Sequence, residues 1–521
     1  MFGHVCSMRS HRTRRPARLR RSAAHCGTIA HLTWAVGTRP WGKNVHARTA
    51  AGLMLLATLV LATAGPGAAA QDTALLDAAR AADVAAVIGL LDEGVSANTP
   101  QADGATALHW AAHWDDAAMA DALVGAGADV DVANDFGATP LWLACRNGSE
   151  AMVAILLAAG ADANAALPSG ETVLMTASRT GSPEVVRLLV SHGADLDARE
   201  HTRGQTALMW AVAQQHPDVV EALVGLGADV QARSSPQPRR IHTRTAGFNP
   251  SGVIDTVLGS NTPILFAARQ GNLDVARHLV AAGADVNDTA ATGTSALVVS
   301  AHSGHTALAL FLLEQGADPK AAEAGYTALH AATLRGDETL AAALLARGAD
   351  PNAPVVRGSQ GRRNSPDYVL DHDVVGATAF WLAANFAEPG IMRVLADGGA
   401  DTQIVMEDGT TPLMAAAAAR RRREPGLAAN PVADERLVLE AARAAIDAGG
   451  DVNAADAAGN TALHTAARRR LDTVVRLLAD SGADLHAVND NGQTPVDVAA
   501  GRGGDNNSTV ELLLRRGASA R

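Results

Sequence analysis

Residues 135–166 read DFGATPLWLACRNGSEAMVAILLAAGADANAA, and a helix pair followed by a turn explains the pattern. Thr139 stands where a hydroxyl caps a helix by accepting a backbone N–H, and Pro140, at the first helical position, loses no donor the helix needs. Ala144 is small enough to let a neighbouring helix approach closely, with Cys145 in the companion place. A second helix with paired aliphatic residues follows, and Gly160 supplies the left-handed residue that ends it. Ala161-Asp162 then opens a hairpin. A unit of this kind has an apolar face that it cannot bury by itself.

The unit recurs. With conservative exchanges, a Thr-Ala/Pro-Leu string and the small pair behind it begin at Thr73, Thr106, Thr139, Thr172, Thr206, Thr262, Ser295, Thr327, Thr378, Thr411, Thr461 and Thr494. The gaps are 33, 33, 33, 34, 56, 33, 32, 51, 33, 50 and 33, so eight lie within one residue of 33 and three are one period plus an insertion. Gly stands 21 residues after the first residue in ten units, at Gly94, Gly127, Gly160, Gly193, Gly227, Gly283, Gly316, Gly348, Gly399 and Gly482. Two markers held in phase imply like units stacked over one continuous core.

The pattern resembles the ankyrin repeat over essentially all of residues 71–521. Asp135-Phe-Gly-Ala-Thr-Pro-Leu141 and Asp490-Asn-Gly-Gln-Thr-Pro-Val496 follow the family's D-x-x-G-x-T-P-L opening, and His109, His330 and His464 match its T-P-L-H histidine. Trp142, Met175, Met209, Trp381 and Met414 take that place elsewhere, and the histidine's hydrogen bonds are expected to be missing there. Asp497 puts an acid there in the last unit. The resemblance implies an all-α ankyrin-repeat solenoid of twelve helix-turn-helix-hairpin units in one continuous curved array. It also implies a non-enzymatic binding scaffold.

Composition agrees with an ordered, small-residue core: 48% of residues are hydrophobic, 19% charged and only 3% aromatic. Charge is unevenly spread. Residues 1–70 hold ten bases and no acid; taking those ten from the chain's 43 leaves 33 against 54 acids, a net charge of −21 on residues 71–521. A body so acidic is not a general nucleic-acid binder. Cys145 is the sole cysteine after the leader, so neither an intrachain disulfide nor a cysteine-rich metal site is available there.

The leader, residues 1–70, contains an apolar run at 50–64, preceded by Lys43 and Arg48 and followed by Pro66 and Ala68-Ala69-Ala70. That order reads as a signal peptide cleaved near Ala70, giving an exported, periplasmic protein that begins at Gln71. The alternative is an uncleaved anchor at 50–64, although fifteen residues are short for a span of about 20. Residues 1–44 fit no signal peptide, and the translation start is expected downstream, near Val45, because no Met occurs between Met8 and Met54.

Marker phase places three insertions, at about 233–258, 354–374 and 420–436. From Gly227 to Thr262 is 35 residues where a normal unit has 12, and from Gly348 to Thr378 is 30, so both enlarge hairpins. From Thr411 to Gly450 is 39 instead of 21, which expands the turn between two helices of one unit. The first two carry Arg239, Arg240, Arg244 and Phe248, then Arg357, Arg362, Arg363 and Tyr368, and read as two basic arms.

In the family, residues seven and eight after the motif Thr end the inner helix and face the concave groove. That offset gives Trp114, Arg146, Arg179, Arg269, His302, Arg335, Phe386, Arg468, Arg469 and Arg502, and no acid stands at either offset in any unit. The groove is therefore expected to bind a protein with an acidic segment, or an anionic polymer, at the cell envelope, with the chain a monomer. Its alternative is an enzyme or regulator whose site is hidden in the insertions. Chemistry elsewhere is sparse. His109 and His113 are spaced as a helical metal pair but lack the Glu of a zinc-protease motif, and Asp371-His372-Asp373 are three adjacent residues that seldom converge. No phosphate-binding glycine loop, nucleophile elbow or catalytic carboxylate pair is present, and no cofactor or metal is expected.

Overall fold

The computed structural model describes residues 68–242, 253–359, 370, 372–419, 431–501 and 507–519. Among them twenty-four α-helices alternate between two rows. The inner row begins with α1 (Ala68–Arg80), α3 (Ala107–Trp114), α5 (Pro140–Asn147), α7 (Val173–Thr180), α9 (Ala207–Ala213) and α11 (Pro263–Gln270). It continues through α13 (Ala296–Ser303), α15 (Ala328–Arg335), α17 (Ala379–Phe386), α19 (Pro412–Ala418), α21 (Ala462–Arg469) and α23 (Pro495–Ala500), each packed on the next. The outer row runs from α2 (Val84–Asp92) and α4 (Ala117–Gly125) to α24 (Ser508–Arg515). This is an all-α ankyrin solenoid.

Local chemistry starts most inner helices where the sequence predicts. The Thr139 hydroxyl accepts the Trp142 N–H at 3.2 Å, and Thr172 and Thr411 accept from Met175 and Met414 at the same distance. Outer helices are capped by Asp116, Ser149, Asn272 and Asp337 in the same way. Leu108, Leu141, Leu174 and Leu208, at one offset in successive inner helices, are at most 1% exposed, and Leu123, Leu156, Leu189 and Leu223 in the outer row are fully buried. Each such leucine contributes roughly 1.5–3 kcal/mol by leaving water. The Ala111-Ala112 and Ala331-Ala332 pairs are fully buried between the rows.

Hairpins tie neighbouring units together. The Asn98 side chain accepts the Asp129 N–H at 2.7 Å and donates to the Gly127 carbonyl at 2.9 Å. The same pair of bonds runs from Asn164 to Asp195 and Gly193, and from Asn453 to Asp484 and Gly482. Finger tips are linked too, by Asp135 N–H to Asp103 O at 2.8 Å and His201 N–H to Ser169 O at 2.8 Å.

Some details differ from the sequence reading. Thr73 lies inside α1, not at its cap, because that helix already begins at Ala68. The left-handed glycine after α20 (Pro431–Asp447) is Gly449, with φ 88°, so Gly450 occupies the alanine place and the insertion is one residue shorter than counted. The first insertion is ordered at its base as an antiparallel pair, β1 (Gln237–His242) with β2 (Val253–Leu258). Arg233 clamps that base to the next unit by an ion pair with Asp288, whose side chain is 6% exposed, and by donation to the Thr289 carbonyl at 2.9 Å. The third insertion separates α19 from α20 and also lengthens α20 to 17 residues, against nine in most outer helices.

The turn between the two helices of a unit needs a left-handed residue. Gly148, Gly181, Gly271, Gly304 and Gly336 provide it, whereas Arg470 adopts φ 59° as a non-glycine. A side chain there costs about 1–2 kcal/mol, part of which glycine returns through unfolded-chain entropy. Arg470 is exposed, so nothing packed is lost. Arg470→Gly is expected to stabilise the array by about 0.5–1 kcal/mol, read as a higher urea midpoint by far-UV circular dichroism.

Candidate binding surface

Several inner helices are oriented from their first turn. His109 Nδ1 accepts the Thr106 N–H at 3.0 Å, which leaves the proton on Nε2 to be donated to the Ala138 carbonyl of the next finger at 3.0 Å. His330 bonds in the same way to Thr327 and Ala353, and His464 to Thr461 and Gln493. Trp381 departs from the expectation that such bonds vanish without histidine: its Nε1–H donates to the Thr410 carbonyl at 3.1 Å, across the same 29-residue span. The indole reaches the acceptor that the imidazole would have reached. Asp497 also takes up part of the role, its carboxylate accepting the Thr494 N–H at 2.8 Å.

With the helix starts held, their last turns line one face. Arg146 is exposed, its guanidinium 5.4 Å from the Trp142 ring on the same helix. Arg179 lies 5.5 Å from the Trp210 ring and 3.2 Å from Glu171, an acid supplied by the finger and not by a helix end. Arg269 and Arg468 are exposed at the ends of α11 and α21. Arg335 Nε donates to the His302 carbonyl at 2.8 Å, and Arg469 Nη1 to the Ala417 carbonyl at 2.7 Å, so both tie a helix end to the preceding unit. The His302 ring is half-buried, 5.8 Å from the Tyr326 ring. Trp114 is 48% exposed.

Phe386 is not on this face. It is 5% exposed and belongs to the core with Leu382, Ala383 and Ala387, because a large apolar ring at a helix end gains more from packing than from water. Arg502, Arg362 and Arg363 lie outside the described residues, as do Arg244, Phe248, Tyr368 and Asp371. Arg239 and Arg240 project from β1, but Arg240 is paired with Asp255 through bonds of 2.8 and 3.1 Å. That partner holds the Asp255 carboxyl below its ordinary range and makes the described part of the first arm less basic than its sequence implies.

The helical His109 and His113 do not form a chelating pair, since both ring nitrogens of His109 are already bonded within the array. Among the described residues no cluster of three or more His, Cys, Asp or Glu is placed to hold a metal ion. Cys145 is fully buried, and burial pushes its thiol well above the ordinary range.

Sequence reasoning missed the aromatic half of the surface. Trp142, read only as a residue at the histidine place, is half-buried beneath Arg146, and Trp110 and Trp210 on the same face were not singled out. Arg80 from α1 lies 5.4 Å over Trp110. The available signal was an aromatic residue three or four places after the motif Thr, with Arg seven places after a motif Thr in the same or the preceding unit.

The family model for ankyrin repeats in three copies matches residues 75–166, 159–234, 261–355 and 432–521, more than half of the chain, which therefore belongs to the ankyrin-repeat family. Ankyrin repeats generally serve as scaffolds for protein–protein interaction and are typically binding domains without enzymatic activity. The chain is 28% identical over 162 residues to an ankyrin repeat and KH domain-containing protein of Caenorhabditis briggsae, an alignment covering 30% of this chain and 5% of that relative. It is also similar, at 27% identity and a TM-score of 0.36, to the ankyrin repeat domain of human ASB11, across 53% of this chain and 98% of that one. Residues 356–431 escape the family model, yet α17, α18 (Pro389–Asp397) and α19 continue the same two rows through them.

The buried histidines make stability depend on pH. Burial lowers His330 to about 4, from the 6.5 of an unfolded chain, so the unfolded state takes the proton first as pH falls. Its contribution is complete above pH 6.5 and is lost between 6.5 and 4, roughly 3 kcal/mol at 1.36 kcal/mol per unit. His109 and His464 are shifted downward as well and act in the same direction. Urea midpoints measured across that window are expected to fall steeply for the wild type and less so for His330→Gln.

Proposed function

We propose that this ankyrin array is a binding scaffold of the cell envelope, acting as a monomer, whose inner-helix face holds an acidic protein segment or an anionic polymer. The observation that supports the reading most is the set of arginines at the ends of α1, α5, α7, α11, α15 and α21, on one face and without an acid at those helix positions. They stand in a body whose acids outnumber its bases 54 to 33 after the leader. Arginine presents a planar fork suited to carboxylates and phosphates, and charged groups on one face attract the opposite sign over a distance. Helix dipoles also favour bases at these ends, so measured binding must decide between placement and use.

Arg146, Arg269 and Arg468 make the cleanest test, because Arg179, Arg335 and Arg469 have side-chain bonds within the array. Changing those three to Glu together is expected to weaken binding to a partner recovered from envelope extract at least tenfold, or about 1.4 kcal/mol. Wild-type affinity should fall with added salt. Unchanged affinity in a folded variant would move the site to the outer helices or the insertions.

Placement at the envelope rests on the apolar run at 50–64 and on Ala68-Ala69-Ala70, which form the first turn of α1. Among the described residues no helix is long and apolar enough to cross a membrane. N-terminal sequencing of the protein from its host is expected to find Gln71 first. A cytosolic chain that keeps residues 50–70 would end the export reading.

A further inference from the structure

Aromatic rings are unevenly distributed along the inner row. Of the five tryptophans after the leader, Trp110, Trp114, Trp142 and Trp210 lie on α3, α5 and α9 and all retain solvent contact. The fifth, Trp381, is 8% exposed and bonded to Thr410, and Phe386 is buried beside it in the core. The face is therefore aromatic over its first five inner helices and is not over α17–α23.

Within that half, α1, α3 and α5 form a compact patch. Trp110 and Trp114, one turn apart, stack with centroids 6.4 Å apart and planes 26° apart, and His113 meets them edge-on at 5.6 and 4.7 Å. Arg80 covers Trp110 from one side, while Arg146 lies against Trp142 on the other. Stacking on an indole holds a guanidinium in one plane and leaves its N–H edge available to a carboxylate. Arg80 already meets the Gln101 amide oxygen at 2.9 Å and the Asp77 carboxylate at 3.4 Å. The Asp77 contact joins two exposed side chains, a weak arrangement that a better-placed carboxylate can replace.

Spacing then restricts the ligand. Helices α1 and α5 are two layers apart in the inner row, about 20 Å at roughly 10 Å per layer. An extended peptide advances about 3.3 Å per residue, so two carboxylates that reach Arg80 and Arg146 are about six residues apart. Side chains alternate along an extended chain, so the third and fifth residues, on the same side as the two carboxylates, are the ones that turn toward Trp110 and Trp114. A uniformly charged polymer would meet the two cations but would leave this apolar ground uncovered.

We infer that the α1–α3–α5 face selects an extended acidic protein segment, with carboxylates at its first and seventh positions and apolar side chains at its third and fifth. This rests on the reading of the inner-helix face as the binding face. The probe is a terminally blocked seven-residue peptide with glutamate at both ends, leucine at the third and fifth positions and serine elsewhere. Its control moves the two leucines to the second and sixth positions, on the opposite side of the chain. Because four of five post-leader tryptophans lie on the face, intrinsic fluorescence of the full chain reports occupancy directly. The matched peptide is expected to change the fluorescence and to bind at least fivefold more tightly than the control. Trp114→Ala, at an exposed position that should not disturb folding, is expected to weaken it about tenfold, and Arg146→Gln likewise. Equal binding of matched and control peptides overturns the inference. So does polyphosphate binding that Arg146→Gln weakens and Trp114→Ala does not, which would assign the face to an anionic polymer. Should the Arg146, Arg269 and Arg468 replacement abolish partner capture while Trp114→Ala leaves it intact, the inner face remains the binding face and only this assignment fails.

Discussion

The array depends on a hydrogen bond between neighbouring hairpins. An Asn or Asp carboxyl or amide oxygen in one hairpin accepts a backbone N–H of the next, as from Asn98 to Asp129, Asp131 to Asp162 and Asn164 to Asp195, at 2.7–2.8 Å. This bond sets the step from unit to unit. The helices must match that step, and alanine at the Ala111-Ala112 and Ala466-Ala467 places lets them do so. Larger side chains would push the rows apart while the hairpins held their distance, leaving voids in a core that tolerates few.

The ladder also explains how the chain carries long insertions without losing phase. At the first of them the extra residues leave after Pro236 and return before Gly259, and the ladder is rejoined at once, with Ser235 N–H on Arg203 O and Gly259 O receiving the Ala291 N–H. Adding loop length costs little once the ends are fixed, because closure entropy grows only with the logarithm of length. The third insertion uses a different route. It enters on the other edge, between α19 and α20, where no hairpin ladder has to be restored, and spends part of its length on a longer outer helix.

Much of this was legible in the sequence because the repeat converts position into environment. A Thr, a Gly and the offset between them locate the cap, the left-handed turn and the two helices, so the rows, the insertions and most helix-end residues could be placed. What the repeat did not reveal is the contact of a side chain with a non-periodic neighbour. Phe386 sits at the same offset as Arg335, yet one is buried and the other reaches solvent, because the offset gives the backbone position and the side-chain chemistry then chooses its direction. Trp381 reached a histidine's acceptor for a related reason: a larger ring at the same root extends to the same carbonyl. Glu171, arriving from a finger to meet Arg179, was invisible to a count made along helices.

That last contact bears on how a surface of this kind is read. A row of arginines at helix ends has at least three physical uses, and the structure separates them. Arg335 and Arg469 donate to carbonyls of the preceding unit and so complete the backbone accounting of a helix end, a structural duty. Arg179 is balanced by Glu171 and adds little net charge to the face. Arg146, by contrast, lies along an indole at the surface, a position that neither closes a helix nor cancels an acid. The helix dipole accounts for the presence of a base at any of these ends, but it has no preference for an aromatic ring beneath it. Coincidence of guanidinium and indole, at Arg80, Arg146 and Arg179 and at no other described helix end of the inner row, is thus the feature that electrostatics of the fold leaves unexplained.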